Sequence, residues 1–280
     1  TEEGCERELE LQRWPEGFVC PGCGSRDYSN FRRGRLLYYQ CCSCRHQASL
    51  IAGTVMASSK LGLRLWFQAA YVLSQAKNNV SALELMRHLG VCYQTAWSIK
   101  HKLMQAMWVR ERSRTLGGTV QVDEAFLGGQ ASGRGSLGRK GKVPFLAAVS
   151  ATAEGRPGRV CLSQLEPGSM VVSDGAPSFN YAKWNRIAEH KAIVTGGGKQ
   201  ACEIPQLKAI NTVLGNLKTA IAGTYHAFKF SKYTERYLAD YQYRFNRRFK
   251  LEVLMQSLIR AAAACKPAPL PSLRMAEDCR

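Results

Sequence analysis

Thr119–Gly129 reads TVQVDEAFLGG, and its reading decides what kind of fold the chain adopts. Val120 and Val122 alternate with Thr119, Gln121 and Asp123. A two-residue period is the mark of a β-strand with one apolar and one polar face. Thr119 and Asp123 then share the polar face, and the strand runs out into Gly128–Gly129. A carboxylate on a rigid strand beside a turn is how metal-dependent sites fix an oxygen ligand. Strand-end aspartates also serve as plain turn formers, so the motif takes its meaning from the rest of the chain.

On the C-terminal side the pattern stays mixed α/β. Strands are predicted at 119–126, 143–151 and 159–165, and a fourth, Met170–Ser173, ends in Asp174–Gly175. Between the first two lies GGQASGRGSLGRKGK, a basic, glycine-rich loop suited to phosphate contact or disorder. A helical stretch near 178–189 and a strand near Lys191–Thr195 follow, then helices at about Pro205–Ala222 and Ser231–Phe249. From Leu251 the chain is helical until KPAPLP breaks it. Asp174, like Asp123, leaves an apolar strand for a turn. Asn211 and Lys218 lie seven residues apart, nearly two helical turns, so both point the same way. Gly223 is the predicted stop of that helix, with His226 just beyond. Two strand-borne carboxylates and a helix-borne oxygen can hold divalent ions. Such ions activate a water or a 3′-hydroxyl and stabilise the leaving oxygen of a phosphodiester. The lysine and histidine would bind phosphate or the developing charge.

On the N-terminal side, residues 61–107 are helical in pattern, with Leu63, Trp66, Phe67, Ala70 and Tyr71 at helical spacing. Ser81 with Glu84 forms a capping box, Gly90 ends that helix, and VCYQTAWSIKHKLMQAM starts another. Helix, short turn, helix is the helix-turn-helix outline, or else an ordinary αα-hairpin. The second helix would offer Tyr93, Gln94, Thr95, Ser98, Lys100 and Lys102 to a DNA groove, with Ala96, Trp97, Ile99 and Leu103 facing the first helix. Residues 110–118 form a basic, glycine-ended linker.

Further upstream come two CxxC knuckles, Cys20/Cys23 and Cys41/Cys44. Two such turns on adjacent hairpins complete a tetrahedral four-sulfur zinc site, structural because protein fills every ligand place. Cys42 is a rival ligand, but the spacing favours 41 and 44. Leu36–Gln40 reads as a strand between the knuckles, and Arg32, Arg33, Arg35, Arg45 and His46 make this ribbon basic.

The 280 residues hold 39 Lys plus Arg against 21 Asp plus Glu, a net charge of +18, which favours a polyanionic partner, nucleic acid first. The bland reading is a basic protein kept soluble by its charge. Eleven cysteines with two CxxC pairs and no secretion signal point to a reducing compartment and a metal site, not a disulfide framework. No apolar run reaches membrane-span length, so no membrane partner is expected. The first residue is Thr, which leaves room for a natural start upstream.

CPGCG…CCSC, HQASLIAGTVM, VDEAFLGG, VVSDG, NTVLGNLK, GTYH and YRFNRRF, in this order and spanning almost the whole chain, resemble a bacterial insertion-sequence DDE-type transposase. The group is the one with an N-terminal zinc ribbon and a ribonuclease H-like core (IS-fifteen-ninety-five type). The resemblance implies an α+β multidomain chain: zinc ribbon at 1–56, helix-turn-helix domain at 57–112, ribonuclease H-like core with a mixed sheet at 113–250, and a C-terminal tail at 251–280. It implies cut-and-paste DNA transposition with Mg²⁺ or Mn²⁺, acting on terminal inverted repeats and target DNA. A homodimer on DNA and residence in the bacterial cytoplasm with the nucleoid go with it. The catalytic residues would be Asp123, Asp174, Asn211, Lys218 and His226, the first three holding the metal.

Two features depart from that pattern. Many relatives carry glutamate where this chain has Asn211, although one branch carries asparagine. An amide oxygen can ligate a hard cation but brings no charge. Glu203 is the nearest spare acid, Asn216 is a rival to Asn211, and Asn211 is also a plausible N-cap. The implied strand order, 3-2-1-4-5, also needs a parallel crossover between strands 3 and 4. Only EPGSM joins Leu165 to Val171, where relatives carry a helix. The crossing is roughly 14 Å plus the length of a strand, so strand 3 is expected to be frayed, or the copy to be decayed. The alternatives to an active transposase are a zinc-ribbon, helix-turn-helix DNA-binding protein without catalysis and an RNA-processing nuclease on the same core.

Overall fold

The computed structural model describes residues 1–128, 142–152, 154–161, 168–174, 189–193, 204–225 and 230–274. By internal contact the chain forms two units. One comprises Thr1–Ala76, Val80–Val109 and Phe249–Arg274; the other contains Lys77–Asn79 and Arg110–Arg248. The units cut the chain differently from the four expected segments: ribbon, helices and most of the expected tail belong together.

The first unit is organised around helix α1 (Glu2–Arg13). It packs beside a three-stranded antiparallel sheet of β1 (Tyr28–Arg33), β2 (Leu36–Cys41) and β3 (Gln47–Ser49). Then come α2 (Leu63–Gln75), α3 (Ala82–Leu89) and α4 (Tyr93–Arg112), whose last turn crosses into the other unit. Each turn of α1 makes a specific tie. Glu2 accepts from the backbone N–H groups of Leu63 (2.5 Å) and Arg64 (3.1 Å), capping α2, whose own N-cap residue Gly62 has no side chain to do so. A Cβ at Gly62 would meet that carboxylate at 3.0 Å, which explains the glycine. Buried Glu6 takes both prongs of the Arg32 guanidinium at 3.0 and 2.6 Å. Arg13 donates to the carbonyls of Ser49, Leu50 and Ala52. The predicted capping box is present: Ser81 Oγ accepts from Glu84 N–H at 3.0 Å, and the Glu84 carboxylate accepts from Ser81 N–H. Gly90 ends α3 at φ 64°, a left-handed conformation glycine adopts without strain.

The second unit holds a five-stranded sheet of β4 (Thr119–Leu127), β5 (Val143–Ala151), β6 (Pro157–Cys161), β7 (Met170–Ser173) and β8 (Glu189–Ala192) in the order β6-β5-β4-β7-β8. Pairing is antiparallel through β6-β5-β4 and parallel through β4-β7-β8. Numbered from β4, this is the expected order 3-2-1-4-5. The polar face predicted for β4 is covered as well. Val120 and Val122 pack with Val171 on one side, while Ala125 and Leu127, on the face of Asp123, join the core under helix α5 (Lys208–Thr224). α6 (Phe230–Phe245) follows α5.

The register of the flanking strands bounds the span of the crossover. β6 is described up to Cys161, and the rest of the expected strand, 162–165, lies outside the described residues. Through β5, Cys161 stands level with Val122, whereas Met170 stands level with Thr119. The return is therefore about three residues, or 10 Å, and with three strand spacings the gap is roughly 17 Å. The eight residues of 162–169 reach up to about 30 Å.

YRFNRRF, at the end of α6 and just beyond, closes the outer edge of β6. The Asn246 amide accepts from Val160 N–H at 2.8 Å and donates to Val160 C=O at 2.9 Å. Arg248 donates to Gly158 and Pro157 carbonyls. Among the described residues no strand pairs with this edge, and the Asn246 side chain occupies it instead.

Candidate active site and zinc centre

The register of β4 with β7 pairs Thr119 with Met170, Val120 with Val171 and Gln121 with Val172. Two residues further along each strand come Asp123 and Asp174. The two carboxylates therefore stand side by side where β7 ends. Burial, and then the charge of Asp174, push the Asp123 carboxyl up to about 6, while Lys218 pulls it down. Asp123, Asp174 and Lys218 thus share one electrostatic site.

Helix α5 brings the remaining candidates. Its N-cap position, Leu207, offers no side-chain bond. Gln121, on the same strand face as Asp123, supplies it: Oε1 accepts from Ile210 N–H at 2.9 Å in a buried position. This bond pins the first turn of α5, and hence Asn211 beside it, to the strand that carries Asp123. Asn211 is half-buried and Lys218 exposed, both bordering the apolar stripe of Ile210, Val213, Leu214 and Leu217. Asn216, the rival to Asn211, is exposed. His226 and Glu203 lie outside the described residues. Hard oxygen donors and a crowded pair of carboxylates fit a divalent cation such as Mg²⁺, which retains several of its waters.

The sulfurs of Cys20, Cys23, Cys41 and Cys44 all lie within 4.8 Å of one another, with Cys20–Cys44 and Cys23–Cys41 at 3.5 Å. Four Zn–S bonds of about 2.3 Å make a tetrahedron with edges of about 3.8 Å, so the donor set fits zinc. The two knuckles repeat one geometry. Gly24 N–H bonds Cys20 C=O at 2.9 Å, and Arg45 N–H bonds Cys41 C=O at 3.1 Å. Both residues sit at positive φ, 76° for Gly24 and 60° for Arg45. Backbone N–H groups of Cys44 and Ser43 aimed at Cys41 draw its thiol down to about 6, towards the thiolate a metal needs. Cys42 is exposed and outside this cluster.

The six residues expected in a DNA groove divide. Tyr93 and Gln94 are exposed at the start of α4, and Thr95 and Ser98 are half-buried. Lys100 is only 1% exposed, which keeps its ammonium from a groove in this arrangement. It lies four residues after Ala96 and three before Leu103, on the buried stripe. Lys102 turns inward as well, donating to Ala57 C=O at 3.3 Å, and burial lowers its pKa.

Among known proteins, the ISXO2-like transposase domain matches residues 115–246 and the transposase zinc-ribbon domain matches residues 1–47. An uncharacterized protein in transposable element ISH50 of Halobacterium salinarum is 28% identical over 123 residues, 44% of this chain and 40% of that relative. No solved structure matches the chain. Among the described residues no helix is long and apolar enough to cross a membrane. Along one chain, in order, residues 1–47 thus match a transposase zinc-ribbon domain and residues 115–246 an ISXO2-like transposase domain.

Proposed function

We propose that this chain cleaves and joins DNA at the terminal inverted repeats of its insertion sequence. The observation that carries the reading is the matched placement of Asp123 and Asp174 on neighbouring parallel strands, with Lys218 in the same field. The sheet order supports a ribonuclease H-like core. Mg²⁺ or Mn²⁺, when bound, activates the attacking oxygen and stabilises the leaving one. Asp123 and Asp174 would hold the ion, and the Asn211 amide oxygen would add a neutral donor. Lys218 offers its charge to the scissile phosphate, with His226 assigned the same part. Gln121 keeps α5 in register with the carboxylates. Recognition of the DNA ends falls to the zinc ribbon and to α3–α4 as a helix-turn-helix, through Tyr93, Gln94, Thr95 and Ser98. The protein works as a homodimer on DNA, in the cytoplasm with the nucleoid.

Nicking of supercoiled plasmid in Mn²⁺ tests this. The wild-type chain is expected to nick and Asp123→Ala to bind DNA without nicking. A folded wild-type protein that binds DNA but never nicks would leave a DNA-binding protein alone.

A further inference from the structure

A cavity of about 240 Å³ opens at the β6 edge of the second unit, lined by Ser113, Arg114, Thr115, Arg159, Cys161 and Asn246 among others. It lies beside the segment that leads into β4, whereas Asp123 and Asp174 stand further along the strands, where β7 ends. The cavity is open to solvent, and two arginines, Arg114 and Arg159, line it. Arg114 is two-thirds buried, and burial, followed by the nearby charges of Arg247, Arg110 and Arg159, lowers its pKa against the pull of Glu111. Glu111 is the one acid among these groups, and it is already fully engaged. Its Oε1 accepts from Arg114 (3.3 Å) and Arg247 (2.7 Å), and its Oε2 from Asn246 (2.9 Å) and Gln242 (3.4 Å). Among the described residues, four guanidiniums thus stand near this one carboxylate. Arg159 is exposed, and no carboxylate among the described residues pairs with it.

A solvated basic patch would spread its cations into water. Here one arginine, Arg114, is held in the wall by an ion pair, and a second, Arg159, is exposed at the rim with no ion pair among the described residues. Planar guanidinium forks match phosphate oxygens. Among the described residues no aromatic side chain lines the cavity to stack on a base. We propose that this cavity binds a backbone phosphate of DNA, away from the carboxylate site and without reading sequence. The proposal rests on DNA being the partner, which the net charge of +18 favours independently of catalysis.

The test is the salt dependence of binding to two DNA duplexes of unrelated sequence, followed by fluorescence anisotropy with the full chain. Arg159→Ala removes a side chain that makes no described contact, so the fold should survive; zinc content and Tm check this. It is expected to weaken both duplexes by the same factor and to make the log–log salt slope shallower by about 0.9, one phosphate's worth. Lys266→Ala, an equal loss of charge from an exposed position outside the ribbon and α3–α4, is the control and should leave the slope unchanged. An unchanged slope in Arg159→Ala, or equal losses in both variants, would overturn the phosphate site while leaving DNA binding in place. A wild-type chain that binds neither duplex would overturn the DNA partner and the site together.

Discussion

Asp123 is held in a place that suits a ligand better than a lone carboxylate. Its pKa of about 6 means that the folded chain binds a proton more tightly there than the unfolded chain does. With a folded pKa above the ordinary value, the stability contribution is complete below about pH 4 and is lost as pH rises through 6. Asp123→Asn removes that loss. Without added divalent metal it is expected to stabilise the fold at pH 7 by about 1–2 kcal/mol, a figure discounted for solvent at the half-exposed carboxyl, and to change little at pH 4. Urea melts at the two pH values measure this, and equal gains at both would contradict the burial argument. A divalent cation acts in the same sense as the substitution, so Mn²⁺ should raise the stability of wild type at pH 7 and not that of Asp123→Asn.

The elements show why some of the fold is legible in the chain and some is not. The alternation in TVQV announces β4, and Ser81 with Glu84 and Gly90 announces both ends of α3, because these signals are local. Lys100 shows a signal present but outweighed: its spacing from Ala96 and Leu103 places it on the buried stripe, while its charge suggests a groove. Asn246 gives no local sign of its part, because Val160, which it clamps, is 86 residues away. Gln121 is the same kind of case, 89 residues from Ile210, and it carries the sharpest consequence. Gln121→Leu keeps the volume but leaves a buried N–H without an acceptor, which costs about 1–3 kcal/mol. The α5 end that carries Asn211 should then fray. Plasmid nicking in Mn²⁺ is expected to fall well beyond the loss in DNA affinity, and Gln121→Glu, which retains an acceptor at a helix N-terminus, should recover part of it. Nicking and DNA binding falling together would assign Gln121 to general stability alone.

Sequence order and spatial membership part company most clearly in Phe249–Arg274, which belongs to the same unit as the zinc ribbon. The helix Leu254–Ala264, α7, packs on α1 and α2. Ala262 C=O accepts from Val55 N–H at 3.3 Å, and Arg260 reaches Gln12 at 2.5 Å. The spacing of Leu254, Leu258, Ile259 and Ala262 is that of an amphipathic helix with a partner, not of a free tail, and all four are buried. Three large aliphatic side chains at roughly 1.5–3 kcal/mol each come to about 5–9 kcal/mol, comparable with the whole stability of a typical domain. A chain cut after Arg248 should therefore lose the first unit. Its four cysteines should no longer hold zinc, and trypsin should digest residues 1–109 while a fragment containing β4 to α6 survives. A cut chain that keeps stoichiometric zinc and the protease resistance of the full chain would mean that α1, α2 and the ribbon suffice as a core. With the ribbon intact, the same cut should leave DNA binding unchanged; with the unit lost, the affinity that remains is that of the second unit, which the salt slope of the fragment would measure.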